Sequence, residues 1–422
     1  MPEETTLTDD FLRELINVGG VDILIGVPTY NDAKTVGQVV QAIRAGLLKY
    51  FPRQRAVIVN ADGGSRDGTQ DLVRAASISD LQHVSNLYAL RTLHCVSTEY
   101  VGEPSSSVAL HTILAAAELL QATSCAVIAP DSTTIEPGWI ESLLRPVTRD
   151  GFDLVTPIYR RHKFDGLLIR NLLYPMNRAL YLRRIREPFP LDFALSGRLA
   201  NHFLGLDFWS EEAGRTGAEI YLTISAIAGE FRLAQSFLGP RAHAEYAASD
   251  LVQAMRRSVG VLFWSLEQNG TVWQKKGESQ PVATIGPDHE LSSEPLRVNR
   301  KRLHEMFVRG VAELEPVLKS ILAQPTLADL QRAAALPEEE FRYTDALWTQ
   351  TTYEFASAYH KAVISRDHIV QALAPLYRGK THTFLLENQH AASDELESRV
   401  EALCLTFERQ KPSLLEMWNG RK

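Results

Sequence analysis

Short apolar runs alternate with amphipathic stretches through the first half of the chain. Residues 21–30, VDILIGVPTY, are rich in β-branched side chains and stop at a proline and the polar cluster NDAKT. In residues 35–51, TVGQVVQAIRAGLLKYF, apolar positions recur three and four apart, the spacing of a helix with one buried face. The pair predicts strand, loop, helix. Residues 55–64, RAVIVNADGG, predict a second strand ending in a glycine turn, and 65–76 an Asp-Gly turn followed by helical spacing. A third strand is expected over 91–100, a helix over 107–122, and a fourth strand over 124–131 that ends on Asp131. Strands separated by helices imply a mostly parallel sheet, and such sheets bind ligands beyond the carboxyl ends of their strands.

The texture changes near residue 245. Residues 250–268, 300–323, 345–363 and 397–409 all show helical spacing, while 274–298 is a polar stretch rich in Pro, Gly and Ser that reads as a loop. The expected organisation is an α/β, Rossmann-like domain over 1–248 and an α-helical C-terminal domain over 249–422. The chain has no internal repeat, which disfavours a solenoid.

Composition narrows the function classes. With 422 residues the chain has ample surface to bury, and 45% apolar and 23% charged residues are ordinary globular values. A net charge of −7 gives no general attraction for nucleic acid. Cys95, Cys125 and Cys404 form no CxxC pair, so neither a disulfide framework nor a zinc site is indicated. The acidic start, MPEETTLTDD, is unlike a secretory leader, and no stretch approaches the roughly 20 apolar residues of a membrane span. A soluble, cytoplasmic protein is expected.

The chemistry-bearing residues cluster at predicted strand ends. The first strand delivers Pro28, Thr29, Tyr30, Asn31 and Asp32, and the second delivers Asp62 followed by Gly63-Gly64-Ser65-Arg66-Asp67-Gly68-Thr69. Carboxylates accept from base N–H groups and ribose hydroxyls, a tyrosine ring can flank a base, and glycines let a nucleotide approach the backbone. The plainer reading is that Asp32 and Asp67 cap helices and the glycines make turns. Serines 105–107 open the helix before the fourth strand and offer either an N-cap or donors to a phosphate.

Together, VPTYND and, thirty residues on, VNADGGSRDGT resemble the nucleotide-sugar half of GT-A glycosyltransferases of the large family-two type. The resemblance implies a GT-A fold binding a UDP- or GDP-sugar, with Pro28, Tyr30, Asp32, Asp62, Gly64 and Ser106 around the nucleotide. It also implies a metal-binding Asp-x-Asp motif at the fourth strand, where this chain reads Asp131-Ser132-Thr133, with threonine in place of the second carboxylate. Further on, Ile158-Tyr159-Arg160-Arg161, then Pro190-Leu191-Asp192-Phe193-Ala194-Leu195-Ser196-Gly197, then Gly217-Ala218-Glu219, then His243 and Tyr246 follow the order seen in mannosylglycerate and glucosyl-3-phosphoglycerate synthases. The run Thr344 to Trp348 with Thr352-Tyr353 is similar to the helical tail of the former.

That likeness implies Asp131 and His243 as ligands of Mg²⁺ or Mn²⁺, Glu219 beside the reacting centre, Ser196 and Gly197 by the acceptor, and Tyr246 by the nucleotide. Arg160 and Arg161 are candidates for the acceptor's carboxylate, which a guanidinium matches with two parallel hydrogen bonds. The expected activity is transfer of a hexose from UDP-glucose or GDP-mannose to a small acid such as D-glycerate, with retention. Two other readings stay open. One is a GT-A transferase for a lipid or polysaccharide precursor. The other is a protein that binds nucleotide sugar without turnover, kept in view by Thr133 and by the absence of a phosphate-facing lysine in Val101-Gly102-Glu103-Pro104. The helical tail suits either a cover over the site or a homodimer contact.

Overall fold

The computed structural model describes residues 7–75, 93–100, 102–241, 248–287 and 299–420. It divides into two compact units, one of residues 1–160, 190–242 and 282–289, the other of 161–189, 243–281 and 290–422. The single expected cut at residue 248 is therefore too simple. Residues 161–189 join the helical unit, and a short segment after 281 returns to the sheet.

Among the described residues there are ten strands: β1 (Ile23–Thr29), β2 (Ala56–Asp62), β3 (His94–Glu99), β4 (Ser124–Val127), β5 (Leu154–Arg160), β6 (Arg183–Arg184), β7 (Phe193–Ser196), β8 (Leu233–Pro240), β9 (Gln280–Pro281) and β10 (Ala283–Ile285). Eight of them form one sheet in the order β10-β8-β5-β7-β4-β1-β2-β3. All are parallel except β7, which runs antiparallel between β4 and β5. This is the mostly parallel α/β sheet that the alternation of strands and helices predicts. The polar stretch 274–298 was expected to be loop throughout, yet β10 forms a sheet edge there. Three exposed or half-buried residues carry too little pattern to show as a strand.

β1 is buried along almost its whole length, as a central parallel strand covered on both faces must be. Ile23, Ile25 and Val27 point into a core shared with Val39, Val40 and Ile43 of helix Val36–Tyr50 and with Trp139, Ile140 and Leu143 of helix Pro137–Thr148. The alternate position Gly26 faces the other way, where a Cβ would meet Ile113 at 2.4 Å. That glycine lets helix Ser106–Leu119 lie directly on the strand.

The second unit is mainly helical. Helix Arg300–Glu313 packs against Arg366–Glu387 through two glycines: a Cβ on Gly310 would meet Pro375 at 2.3 Å, and one on Gly379 would meet Phe307 at 2.5 Å. Helix Ser393–Trp418 supplies Glu401 and Glu408 to Arg178, whose guanidinium is fully buried. The expected helix over 300–323 is two helices, breaking at Leu314 before Glu315-Pro316, because a proline is accommodated in the first turn of a new helix and not inside an old one. Among the described residues no helix is long and apolar enough to cross a membrane.

Candidate functional site

The carboxyl ends of β1, β2 and β4 bring three loops together, all in the first unit. The β1 loop (29–35) and the β2 loop (62–70) are stitched to each other. Ser65 Oγ accepts from Asn31 N at 2.8 Å, Thr69 Oγ1 from Asp32 N at 2.9 Å, Asp67 Oδ2 from Ala33 N at 3.0 Å, and Asn31 Oδ1 from Arg66 N at 3.1 Å. Asn31 adopts a left-handed backbone, φ 59°, as do Gly64 and Gly68, which explains the asparagine and glycines at these turns.

Asp62 is fully buried and engaged by the protein itself. Its Oδ1 accepts from Gly64 N, Ser65 N and Gln70 Nε2, and its Oδ2 from Thr29 Oγ1 and Ser65 Oγ. Five protein donors surround this carboxylate, so Asp62 shapes the turn. Tyr30 is different: the residue is 50% exposed at the tip of β1. The Asp32 side chain turns back to accept from Tyr30 N at 2.8 Å and caps no helix. Burial, opposed by that hydrogen bond and reinforced by the charges of Asp131, Asp67 and Asp62, raises its pKa above the ordinary carboxylate value. The repulsion records how close the ends of β1 and β4 bring these acids.

Asp131 follows β4 with its side chain 58% exposed, and its Oδ1 accepts from Arg241 Nη2 at 3.0 Å. Arg241, just after β8, is buried, and its Nη1 donates to Asp192 and to Ser132 Oγ. Asp192, fully buried, precedes β7. It also accepts from Tyr159 Oη, Ala129 N and Ser132 Oγ. Burial disfavours the charge on Arg241, but Asp192, Tyr159 and Asp131 more than offset this and hold its pKa above the usual arginine range. The cluster of Asp131, Asp192 and Arg241 carries a formal net charge of −1, Asp131 included.

The donor set can be tested against a divalent cation. Among the described residues no group of three His, Cys, Asp or Glu side chains could hold one, so a cage built wholly of those residues does not fit. A cation shared with a bound diphosphate does fit, because Mg²⁺ commonly takes one or two carboxylates plus substrate phosphates and water, and Asp131 presents an exposed carboxylate within a locally anionic cluster. His243 and Tyr246 lie outside the described residues.

The other expected site residues fall in several places. Glu219 is buried in the first turn of helix Ala218–Ala228 and is no solvated surface acid. Ala218 N donates to Ser107 Oγ at 3.0 Å, and Ser105 Oγ donates to Arg215 O at 2.8 Å, so this turn lies by the start of helix Ser106–Leu119. Ser105 is that helix's N-cap, with Ser106 half-buried beside it. Arg160 ends β5 at the same carboxyl edge and is exposed. Pro28 is the half-buried penultimate residue of β1, and Gly64 sits in the β2 turn.

Three expected acceptor residues are engaged by other parts of the protein. Ser196 pairs with Ser124 at the start of β4, so Ser196 and Gly197 lie at the amino edge of the parallel strands, opposite Asp131. There Ser196 caps helix Gly197–Leu204 and donates to Asp153 at 2.8 Å. Arg161 belongs to the second unit, where it is buried and paired with Glu187 at 3.1 Å. Sequence reasoning missed Asp192, Tyr159 and Arg241. Tyr159 and Asp192 stand in the runs 158–161 and 190–197 and Arg241 follows the last residue of β8, and the signal was a charged or hydroxyl side chain in or next to an apolar strand.

No protein-family model matches the chain, and no curated protein sequence matches it. Among solved structures it is similar to glucosyl-3-phosphoglycerate synthase from Mycobacterium tuberculosis. The structure of that protein with phosphoglyceric acid is 24% identical, with 61% of this chain and 84% of that one covered, at a TM-score of 0.45. The structure with Mn²⁺, UDP and glucosyl-3-phosphoglycerate is 23% identical, covering 64% and 87%, also at 0.45. The complex with Mn²⁺, UDP-glucose and phosphoglyceric acid is 22% identical, covering 68% and 95%, at 0.43.

Proposed function

We propose that this chain is a GT-A-type glycosyltransferase that moves a hexose from UDP-glucose or GDP-mannose to a small carboxylate acceptor of the D-glycerate kind, with retention. The observation that carries the reading is the convergence of Tyr30, Asp32 and Asp131 at one carboxyl edge, on the loops whose sequence resembles the nucleotide-sugar half of such enzymes. Tyr30 stacks on the base and Asp32 accepts from base or ribose. The turn ordered by Asp62 presents Gly64, and Ser106 lies at the neighbouring helix start.

Asp131 faces the diphosphate. A Mg²⁺ or Mn²⁺ ion, when bound, neutralises charge on that leaving group. Glu219 orients donor hydroxyls from its buried turn, and Arg160 takes the acceptor's carboxylate. In front-side transfer the acceptor oxygen bonds to the anomeric carbon as the bond to the diphosphate oxygen breaks. The acceptor proton passes to that departing oxygen, so no strong protein base is needed. Positioning and charge stabilisation then supply most of the rate.

Differential scanning fluorimetry with UDP, GDP, UDP-glucose and GDP-mannose, each with Mn²⁺, Mg²⁺ or EDTA, tests the reading. A ligand at a hundred times its Kd adds about 2.7 kcal/mol to the folded state. A metal-dependent melting shift with one nucleotide, followed by product from D-glycerate, supports it. The absence of a shift with every nucleotide defeats it. A shift without product from any acid acceptor, in wild type as in Asp131→Ala, favours binding without turnover.

A further inference from the structure

We propose that Asp192 is a positioning residue that fixes the carboxylate of Asp131, acting through Arg241 and through the loop that carries Asp131. The inference rests on the reading of Asp131 given above. Asp192 is fully buried and cannot touch a ligand. Its contacts nonetheless lead to Asp131 by two routes.

One route is the backbone. Oδ1 of Asp192 accepts from Ala129 N at 2.8 Å and from Ser132 Oγ at 3.0 Å, the two positions that bracket the turn holding Asp131. The other is the guanidinium. Arg241 donates from Nη1 to Asp192 and from Nη2 to Asp131 Oδ1 at 3.0 Å. Its Nη1 also lies 2.7 Å from Ser132 Oγ, and Tyr159 donates its hydroxyl to Asp192.

The arrangement has a chemical consequence. A rigid planar fork can serve two carboxylates at once in fixed directions, which a lysine ammonium on a flexible stem cannot do. With Arg241 held by Asp192, one oxygen of Asp131 is committed and the carboxylate is kept in one orientation at the open edge. Partners one step removed from a ligating carboxylate commonly change metal affinity by about 10- to 100-fold when lost. Asp192 is the only carboxylate in this network, among the described residues, that is itself inaccessible.

The test is nucleotide binding by the full chain, measured calorimetrically with UDP and separately with GDP, in Mn²⁺ and in EDTA. The expected wild-type behaviour is a Mn²⁺-dependent gain in affinity for one of the two. Asp131→Asn abolishes that gain. Asp192→Asn and Arg241→Lys reduce it by about 10- to 100-fold and leave the affinity in EDTA unchanged. Tyr159→Phe, which removes a single donor and keeps the buried charges, gives a smaller loss and serves if Asp192→Asn does not fold.

The inference is overturned if folded Asp192→Asn, Arg241→Lys and Tyr159→Phe keep the full Mn²⁺-dependent gain. It is equally overturned if affinities in Mn²⁺ and in EDTA fall by the same factor, which is what general damage to the loop would do. If wild type shows no Mn²⁺-dependent gain with either nucleotide, the functional reading of Asp131 fails first and this inference falls with it. That failure is seen before any variant is made.

Discussion

Gly197 lies against the carbonyl of Ala122 so closely that a Cβ on it would sit 2.3 Å from that oxygen. The contact is with backbone, which cannot rotate away, and Gly197 N donates to Thr123 O at 2.9 Å. This glycine is therefore set by the packing of helix Gly197–Leu204 on the turn before β4. Gly197→Ala is expected to destabilise the protein by about 1–3 kcal/mol, the usual cost of overpacking, seen as a lower urea midpoint. Nucleotide affinity of the folded variant should match wild type. Undiminished stability with weakened acceptor binding would return Gly197 to the acceptor site.

Tyr30 is the opposite case, since a residue half exposed at a strand tip contributes little to folding. Tyr30→Ala should leave the unliganded melting temperature nearly unchanged, within about 0.5 kcal/mol in stability. Base stacking on an aromatic ring is worth about 1–3 kcal/mol, so nucleotide affinity should fall at least severalfold, and Tyr30→Phe should retain it. Isothermal titration of the three proteins decides the point. Equal affinities across the set would remove Tyr30 from the nucleotide site.

These two residues show what the sequence makes legible. β1, β2 and β4 are readable because a buried central strand is a continuous apolar run, and the loops after β1 and β2 are readable because Asn31, Gly64 and Gly68 supply left-handed backbone. Strand direction is not readable, because the period of two is the same either way. The reversal of β7 therefore carried Ser196 to the far edge and brought Asp192 to the near one. Asp192 was hidden for a further reason: its partners Tyr159, Arg241 and Ser132 are 33, 49 and 60 residues away in sequence. Local spacing cannot announce a hub assembled from four segments. Arg161 is buried in a pair with Glu187, although an arginine pair reads as a surface cation from sequence alone.

In the helical unit, Arg178 donates from Nε to Glu408 at 2.7 Å and to Ser279 at 3.0 Å, and from Nη2 to Glu401 at 2.7 Å. Its charge ties helix Tyr174–Tyr181 to helix Ser393–Trp418. Arg178→Met should cost about 3–5 kcal/mol, because removing one partner leaves largely buried Glu408 without its counter-ion. The triple change Arg178→Met with Glu401→Gln and Glu408→Gln should recover part of that loss, since the uncompensated charge is gone. Urea unfolding of the single and triple variants measures both. A single variant as stable as wild type would show that the ion cluster is dispensable.

Lys411 gives the chain a pH dependence on the alkaline side. Its ammonium is buried between the carbonyls of Leu180 and Lys275, at 3.0 and 2.9 Å. Burial pulls its pKa down from 10.5 to about 8, against the opposing charge of Glu408. Between those values the unfolded chain binds the proton more fully than the folded one, so this group's contribution makes stability rise with pH. Below about pH 8 the amine is charged in both states and the penalty is complete, and above about 10.5 it is neutral in both and the penalty is gone. The neutral amine still has two N–H groups for the two carbonyls.

Lys411→Met removes the titration, so the stability of wild type minus variant should climb from pH 7 to pH 10 by on the order of 2 kcal/mol. Taking the difference cancels the other lysines and tyrosines that titrate in the same window. Urea midpoints at each pH, converted with a common slope, give the curve. A flat difference would mean that Lys411 keeps an ordinary pKa and that its ammonium is hydrated in the fold. A falling difference would reverse the sign and mean that the charged form is the one the fold prefers.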